Sequence, residues 1–363
     1  MSFSRVFALS ACAFVASAST SVAPAADITI AVAGPMTGTT AALGAQMRDG
    51  AAAAVDALNT SGVLGGTNIV LRVADDACDP KQAVAVANRL TMDQVKLVVG
   101  HFCSASSIPE AAVIQISPGS TNPRLTERGL KNVFRTCGRD DQQGVVAADY
   151  ILRHYPETKI AVLDDKSTAG KGIADVVASR LEQAGVKAAM RESYVAGEKD
   201  YTAVVSRMKH EGIKLAYIGG YYTEIGLIVR QAAEAGAGIT VMANDALMTG
   251  EFWSIAGDAA NGTLFTFMPD ATKNAQAADA VARLEGSNRS AKGYTLYAYA
   301  AVQAWAEAVK RAGTFEGPQV AAKLRDQPIE TVIGRVHFDR KGDNEAPGFL
   351  VYRWYDHVVE PAE

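Results

Sequence analysis

The stretch that decides the fold is NIVLRVADDACDPKQAVAVANRLTMDQVKLVVGHFCS, residues 68–104. It holds a β-rich run at Asn68–Val73, a helical pattern over Lys81–Gln94 and a second apolar run at Val95–Val99. Pro80 stands where the helix begins, a position that favours proline because the N–H it lacks has no partner there. Strand, helix and strand at this spacing predict a βαβ unit with parallel strands and a right-handed crossover.

The same alternation continues on both sides of this stretch. Upstream, a strand is predicted at Ile28–Ala33 and a helix at Ala41–Leu58. A second alternating set begins near residue 140, with segments at Gln142–His154, Ile160–Asp164, Gly172–Ala184, Lys187–Ser193, Tyr201–His210, Leu215–Gly219, Thr223–Ala235 and Thr240–Ala243. Further on, a helix is predicted at Leu296–Ala312 and strands near Val332–Phe338 and Leu350–Trp354, too few strands for a third domain.

These patterns predict an α/β protein with two doubly wound parallel-sheet lobes joined by a hinge. We place the N-terminal lobe at residues 27–139 and 270–351, and the C-terminal lobe at 140–269 and 352–363. Sheets of this class bind ligands outside the carboxyl ends of their strands. Two such lobes facing each other would bury a small molecule when they close.

The composition and charge of the chain exclude several classes of function. The chain has 363 residues, 48% of them hydrophobic, with 35 Lys and Arg against 39 Asp and Glu. This composition excludes a disordered chain and a small disulfide scaffold. A net charge of −4 without a basic face gives no electrostatic basis for binding nucleic acid or an anionic membrane. We therefore expect a small-molecule partner and no nucleic acid.

Residues 1–26 have the pattern of a secretory signal peptide. A single charge, Arg5, precedes an apolar run, and Ala23-Pro24-Ala25 forms a small-residue cleavage site. The sequence predicts cleavage after residue 25 or 26 and export of a soluble protein. An alternative is a lipobox at residues 9–12, in which Cys12 would be lipidated, but only about six residues separate it from Arg5, fewer than a usual signal core contains.

Export changes how the cysteines are interpreted. Cys78, Cys103 and Cys137 remain after cleavage, and two of them should pair in an oxidising compartment. Cys78 and Cys103 each follow a predicted strand, and neighbouring parallel strands end side by side. The sequence thus favours a 78–103 disulfide and leaves Cys137 as a buried thiol.

Five segments together resemble the Leu/Ile/Val-binding proteins of bacterial ABC importers. They are DDACDPKQA at 75–83, GHFCS at 100–104, ISPGSTNP at 116–123, AGEKDY at 196–201 and GGY at 219–221. The resemblance implies two α/β lobes with a three-stranded hinge, a periplasmic location, an amino acid ligand, a membrane permease as partner and a monomer. It implies no cofactor, no metal and no catalysis.

A buried zwitterion requires donors for its carboxylate and acceptors for its ammonium group. The resemblance implies that Ser104 and the backbone around Thr121 anchor the carboxylate. It assigns the Gly119 carbonyl and the Thr121 hydroxyl to the ammonium group. From the second lobe, Tyr221 would donate to the carboxylate and Asp245 would be the ammonium counter-ion. The alternatives are structural: a Ser or Thr after a strand often caps a helix, and Asp245 could cap a helix starting near residue 246.

Three features depart from the family pattern. Ala169 replaces a site tyrosine, and Leu43 stands where the family often has an aromatic residue, so the ligand need not be leucine. Tyr294 could fill part of the missing wall. The crossover Cys103–Ala112 is about six residues shorter than in the family, so its helix must be reduced to about one turn. This deletion flanks Ser104, so a weakened binder is an alternative.

Two other classes of function are alternatives to a binding protein of an importer. One is an exported hydrolase with Cys103 or Ser104 as nucleophile and His101 as base, although no G-x-S-x-G elbow is present. The other is a sensor of the same fold that passes its ligand state to a receptor. The leading prediction is the periplasmic substrate-binding component of an ABC amino acid importer.

Overall fold

The computed structural model describes residues 27–108, 113–346 and 348–362. The predicted signal peptide, the alternative lipidation site at Cys12 and residues 109–112 of the short crossover lie outside these ranges. Within them, no helix is both long and apolar enough to cross a membrane.

Helices and strands alternate along the chain. The strands are β1 (Ile28–Gly34), β2 (Ile69–Asp75), β3 (Val98–Gly100), β4 (Gln115–Ser117), β5 (Val133–Arg135), β6 (Ile160–Asp164), β7 (Met190–Ser193), β8 (Leu215–Gly219), β9 (Thr240–Ala243), β10 (Leu264–Phe267), β11 (Ile329–Thr331), β12 (Gly334–Val336), β13 (Leu350–Tyr355) and β14 (Val358–Pro361). The α-helices are α1 (Ala41–Ser61), α2 (Pro80–Met92), α3 (Ser104–Ser107), α4 (Arg124–Glu127), α5 (Asp140–His154), α6 (Thr168–Gln183), α7 (Thr202–His210), α8 (Tyr222–Glu234), α9 (Gly250–Ala256), α10 (Ala278–Gly286), α11 (Thr295–Ala312) and α12 (Gly317–Asp326).

The first α/β unit is built on a five-stranded sheet of order β2-β1-β3-β4-β5, in which all pairs are parallel. α1 and α11 pack against each other and against this sheet, and α10 and α12 pack on them, while α2 contacts β1 and β2. Pro80 begins α2 and the Asp79 side chain accepts from the N–H groups of Lys81 and Gln82, which explains why the helix begins there.

The second α/β unit is built on a seven-stranded sheet of order β14-β13-β10-β9-β8-β6-β7. Strands β6 to β10 are parallel, and β13 and β14 extend the sheet in antiparallel fashion. α5 and α6 pack together on one face, and α8 packs against α7 and α9. The predicted α/β class with two parallel-stranded sheets is confirmed, with an antiparallel addition at one edge.

The late part of the chain differs from prediction in two places. Of the strand predicted near Val332–Phe338, only Gly334–Val336 forms a strand, β12, which pairs with the unpredicted β11 in a separate two-stranded sheet. All of β13 lies in the seven-stranded sheet, so a boundary between residues 351 and 352 would divide this strand. Within the described residues, the chain passes from one unit to the other at residues 136–139, at 268–277 and between β12 and β13.

Candidate functional site

Both sheets have a point where the strand order reverses. β1 lies between β2 and β3, and β6 lies between β7 and β8. In open α/β sheets the crevice at such a point, beyond the carboxyl ends of the strands, is where ligands bind. The predicted site residues come from the segments that follow β3 and β4 in one unit and β8 and β9 in the other.

In the first unit, the structure brings Ser104 and the segment containing Thr121 together. Both side chains are buried, and Ser104 Oγ accepts a hydrogen bond from the backbone N–H of Asn122 at 3.3 Å. The predicted shortening of the crossover helix is confirmed, since α3 is a single turn. The shortened crossover therefore does not separate the two halves of the predicted anchor.

The loop after β4 is held by serine hydroxyls. Ser117 Oγ donates to the carbonyl of His101 at 2.6 Å, and Ser120 Oγ donates to the carbonyl of Phe102 at 2.8 Å. Gly119 fits against the Phe102 ring so closely that a Cβ would lie 2.4 Å from Cε2. A side chain at position 119 would displace this ring, so the loop requires glycine there.

A covalent link and a buried histidine–aspartate contact fix the other side of the same segment. Cys78 and Cys103 form a disulfide with their Cα atoms 5.5 Å apart, as the strand ends predict. His101 Nδ1 lies 2.5 Å from an Asp76 carboxylate oxygen, and both side chains are fully buried. Cys137 is a buried free thiol, and burial raises its pKa far above the usual range, which keeps it protonated.

In the second unit, Asp245 follows β9 and is almost completely buried. Its carboxylate accepts from the hydroxyl of Tyr294 at 2.7 Å, from Gln143 Nε2 at 3.2 Å and from Asn244 Nδ2 at 3.3 Å. Burial raises the pKa of Asp245, and these hydrogen bonds oppose that rise. The capping alternative does not hold, because Asp245 is the first residue of a short 3-10 helix and its side chain does not cap that helix.

Two tyrosines complete this side of the cleft. Tyr294 precedes α11 and contacts Phe102 and Phe267 edge to face, with ring centroids 4.8 and 5.1 Å apart. Tyr294 thereby joins the two units, and its role in an aromatic wall of the ligand pocket stays a prediction. Tyr221 is half-buried just before α8. Burial, followed by the negative charge of Asp165, raises its pKa well above 10, so its hydroxyl remains a donor.

The sequence analysis missed Asp140 and Gln143, which lie one turn apart on α5. Asp140 is buried, and its backbone N–H donates to the carbonyl of Thr121 at 2.9 Å. Burial and the nearby Asp245 carboxylate raise the pKa of Asp140 to about 7. An acidic residue at a helix start usually stabilises the helix itself, so the sequence pattern contains no signal for this role.

The raised pKa of Asp140 predicts a pH-dependent stability. An unfolded Asp titrates near about 3.9, so the folded protein holds this proton more tightly. The resulting stabilisation is complete below that pH and is lost as pH rises through about 7. We expect the unfolding free energy of the ligand-free protein to fall, relative to that of Asp140→Asn, between pH 4 and 8. Urea denaturation of both proteins measures this difference, and a constant difference would contradict the assignment.

Direct hydrogen bonds connect the two units around the site. Gln46 Nε2 of α1 donates to the carbonyl of Met248 at 3.0 Å, and the Thr223 hydroxyl of α8 donates to the carbonyl of Thr39 at 2.8 Å. Together with the Tyr294–Asp245 bond, these contacts close the cleft between the two sheets.

A family model described as a periplasmic binding protein matches residues 27–354, which is most of the chain. The chain belongs to this periplasmic binding protein family. It is 42% identical over 336 residues to "Leu/Ile/Val-binding protein homolog 1" of Brucella suis biovar 1, and the match covers 91% of each sequence.

Solved periplasmic binding proteins share the fold. The leucine binding protein LivK of Thermotoga maritima superposes with a TM-score of 0.85 at 27% identity, covering 93% of this chain and 98% of that one. The substrate binding protein LivJ of Streptococcus pneumoniae, solved with isoleucine, gives a TM-score of 0.83 at 25% identity, covering 93% and 99%. The resemblance identified from the sequence motifs is therefore confirmed.

In this periplasmic binding protein, the residues that a hydrolase would use as nucleophile and base make other contacts. The Cys103 sulfur is bonded to Cys78, so it is not a free thiolate. The His101 ring faces Asp76 in a fully buried pair. Of the two positions that depart from the family pattern, Leu43 is buried in α1 and Ala169 is half-buried at the start of α6.

Proposed function

We propose that the chain is the periplasmic substrate-binding component of an ABC amino acid importer, and that it holds one small amino acid between its two units. The observation that carries this proposal is the 42% identity to a Leu/Ile/Val-binding protein homolog across 91% of the chain. The geometry supports it, because polar groups from both sheets converge on one closed cleft.

The carboxylate of the ligand would bind to the first unit. Ser104 Oγ already accepts from the Asn122 N–H, so its own proton is free to be donated. Tyr221, kept protonated by its surroundings, would supply a second donor from the other unit. Hydrogen bonds to a charged acceptor are the stronger ones, so two such donors would orient the ligand.

The ammonium group would bind where the acceptors are. The Thr121 side chain is buried beside Asp140, and its hydroxyl has two lone pairs that would accept an ammonium proton. The Asp245 carboxylate has about four lone-pair sites and accepts three hydrogen bonds from protein groups. One site is left for an ammonium proton, and the Gly119 carbonyl would be the remaining acceptor.

The side-chain pocket favours a small apolar amino acid. Phe102, Phe267 and Tyr294 meet edge to face beside the ammonium position. Ala169 and Leu43 add no second hydroxyl or aromatic wall. A branched-chain amino acid or a related small one suits such a pocket, because burying its apolar surface is favourable.

We propose that the moving bodies are residues 27–139 with 270–349, and residues 140–269 with 350–362. Closure around the ligand would create the form that a membrane permease recognises, since a ligand that binds the closed form better shifts the population towards it. Neither a cofactor nor catalysis is part of this proposal. A monomer and an N-terminal signal peptide stay predictions.

Thermal unfolding with a panel of amino acids tests the proposal. The protein is first unfolded in guanidinium, dialysed and refolded to remove carried-over ligand. A ligand at about 100 times its dissociation constant adds roughly 2.7 kcal/mol to the unfolding free energy, so we expect an upward shift of several degrees for Leu, Ile, Val or a related small amino acid. D-isomers of the same amino acids are the matched control.

A cooperative transition that no amino acid shifts would refute the proposal. A shift for aromatic carboxylates, with none for amino acids, would replace the ligand class. Measured hydrolysis of esters or amides would instead show that the protein is a hydrolase.

A further inference from the structure

One side chain of the first unit crosses the cleft and is fixed at both of its polar atoms. Asn122 is buried, and its Nδ2 donates to the carbonyl of Thr168, the first residue of α6 in the second unit, at 2.9 Å. Its Oδ1 accepts from the backbone N–H of Arg124 at 3.0 Å. The first unit thus holds the Asn122 amide in one orientation, with its NH2 group directed at the second unit.

The backbone of Asn122 is tied to the proposed ligand anchors. It follows Thr121 directly, and its N–H donates to Ser104 Oγ. Its carbonyl accepts from the buried guanidinium of Arg135 at 3.0 Å. Any ligand that orders Ser104 and Thr121 therefore orders the residue that reaches across the cleft.

Gly172 in α6 provides the space for this amide. A Cβ on Gly172 would lie 2.6 Å from Asn122 Nδ2, and the next nearest atoms are 3.8 and 3.9 Å away. Gly172 lies inside a helix, where glycine costs about 0.5–1 kcal/mol relative to alanine. The one close neighbour of the missing side chain belongs to the opposite unit, so the glycine serves the contact between units and not the packing of its own.

Gly170, two residues earlier, is different. A Cβ there would meet Asp165 Oδ1 at 2.2 Å and the carbonyl of Gly219 at 2.8 Å, both within the second unit. Gly170 is thus needed for packing inside the second unit. Gly172 is required only when the two units are closed.

We propose that Asn122 is a positioning residue that sets ligand affinity by latching the two units, and that Gly172 is the socket for this latch. The inference rests on the proposed function, because it concerns the same cleft. Asn122 acts by favouring closure of the two units. Apparent affinity is proportional to the fraction of molecules in the binding-competent closed form, so losing the contact lowers the affinity.

The test is Gly172→Ala. The added methyl group can be accommodated only by moving the Asn122 amide, which breaks its bond to Thr168. A single hydrogen bond of this kind corresponds to a change of about five- to tenfold in an equilibrium constant. We expect Gly172→Ala to weaken binding of L-leucine, L-isoleucine and L-valine by about that factor, mainly through faster dissociation.

The same variant should leave the ligand-free protein at least as stable as wild type, because alanine favours a helix interior. A damaged fold would lower both the affinity and the stability. Lower affinity with unchanged or higher stability would therefore indicate a specific effect on the contact between the units. Gly286→Ala is the matched control, since Gly286 ends α10 with open space around it. It should leave affinity unchanged.

A double-mutant cycle with Asn122→Ala isolates the contact. With the amide removed, Gly172→Ala has nothing to displace, so its effect on affinity should disappear in the Asn122→Ala background. A loss of affinity that persists in that background, or Gly172→Ala binding as tightly as wild type, would overturn the proposal.

Small-angle X-ray scattering of the ligand-free proteins separates this inference from the proposed function. Gly172→Ala and Asn122→Ala should have a larger radius of gyration than wild type and Gly286→Ala. If wild type binds no amino acid of the panel, the proposed function fails, while the scattering still tests whether Asn122 and Gly172 hold the two units together. Equal radii of gyration would overturn it.

Discussion

Asp245→Ala is expected to abolish amino acid binding while the protein remains folded. The substitution removes the carboxylate that would pair with a buried ammonium group, and leaving a buried charge without its partner costs about 3–5 kcal/mol. Since about 1.4 kcal/mol is a tenfold change in affinity, the dissociation constant should rise by at least about a hundredfold. Isothermal titration calorimetry with the amino acid that gives the largest thermal shift measures the loss.

Two further variants make this result specific. Asp245→Asn keeps the shape of the side chain and removes only the charge, so it should lose nearly as much affinity. Asp258→Ala removes an exposed carboxylate of the same unit and should bind like wild type. Because burial disfavours the charged form of Asp245 and raises its pKa, Asp245→Asn should cost little stability in the ligand-free protein. Asp245→Ala should cost more, because it removes the acceptor of the Tyr294 hydroxyl and one acceptor of Gln143. Wild-type affinity in Asp245→Ala would rule out the assigned ammonium site.

Arg135→Met should produce the largest loss of stability. The guanidinium is fully buried at the end of β5, with Nε 2.6 Å from an Asp343 carboxylate oxygen. Its remaining N–H groups donate to the carbonyls of Ser120 and Asn122 at 2.7 and 3.0 Å and to the Thr126 hydroxyl at 2.8 Å. Breaking such a buried pair by removing one partner costs about 3–5 kcal/mol, which urea denaturation would measure.

The same variant should also weaken ligand binding, because the two carbonyls that Arg135 holds flank Thr121. Arg135→Lys keeps the charge but cannot form the planar fork, so its stability should lie between those of wild type and Arg135→Met. Arg353→Met is the control, since its pair with Glu360 is exposed and should contribute less than about 1 kcal/mol. An Arg135→Met protein as stable as the Arg353→Met control would show that the buried pair does not support this loop.

Much of the fold follows from local patterns in the sequence. The long helices such as α1 and α11, and strands such as β1 and β8, lie close to where periodicity and punctuation place them. β5 and β10 were not predicted, because strands of three or four fully buried residues show no alternation. β11 was not predicted, and the strand predicted near residue 332 runs through the turn into β12, because that turn has no strong signal.

The candidate site was predictable only where a residue follows a strand. The residues that follow a strand are Ser104, Thr121, Tyr221 and Asp245. The structure places them at the cleft side of the two sheets. The partners of these residues could not be predicted the same way. Tyr294 and Gln143, which donate to Asp245, lie 49 and 102 residues from it in sequence, and no local pattern encodes such pairings.

The way the chain divides between its two units affects how it can fold during synthesis. α1 is covered by α11, which is translated some 250 residues later, and the seven-stranded sheet lacks β13 and β14 until residues 350–361 have been made. A nascent chain therefore leaves apolar surface of both units uncovered until translation is almost finished. Contacts so distant in sequence also form slowly. For a chain that is exported before it folds, as residues 1–26 predict, this late completion of both units would help to keep it unfolded during translocation.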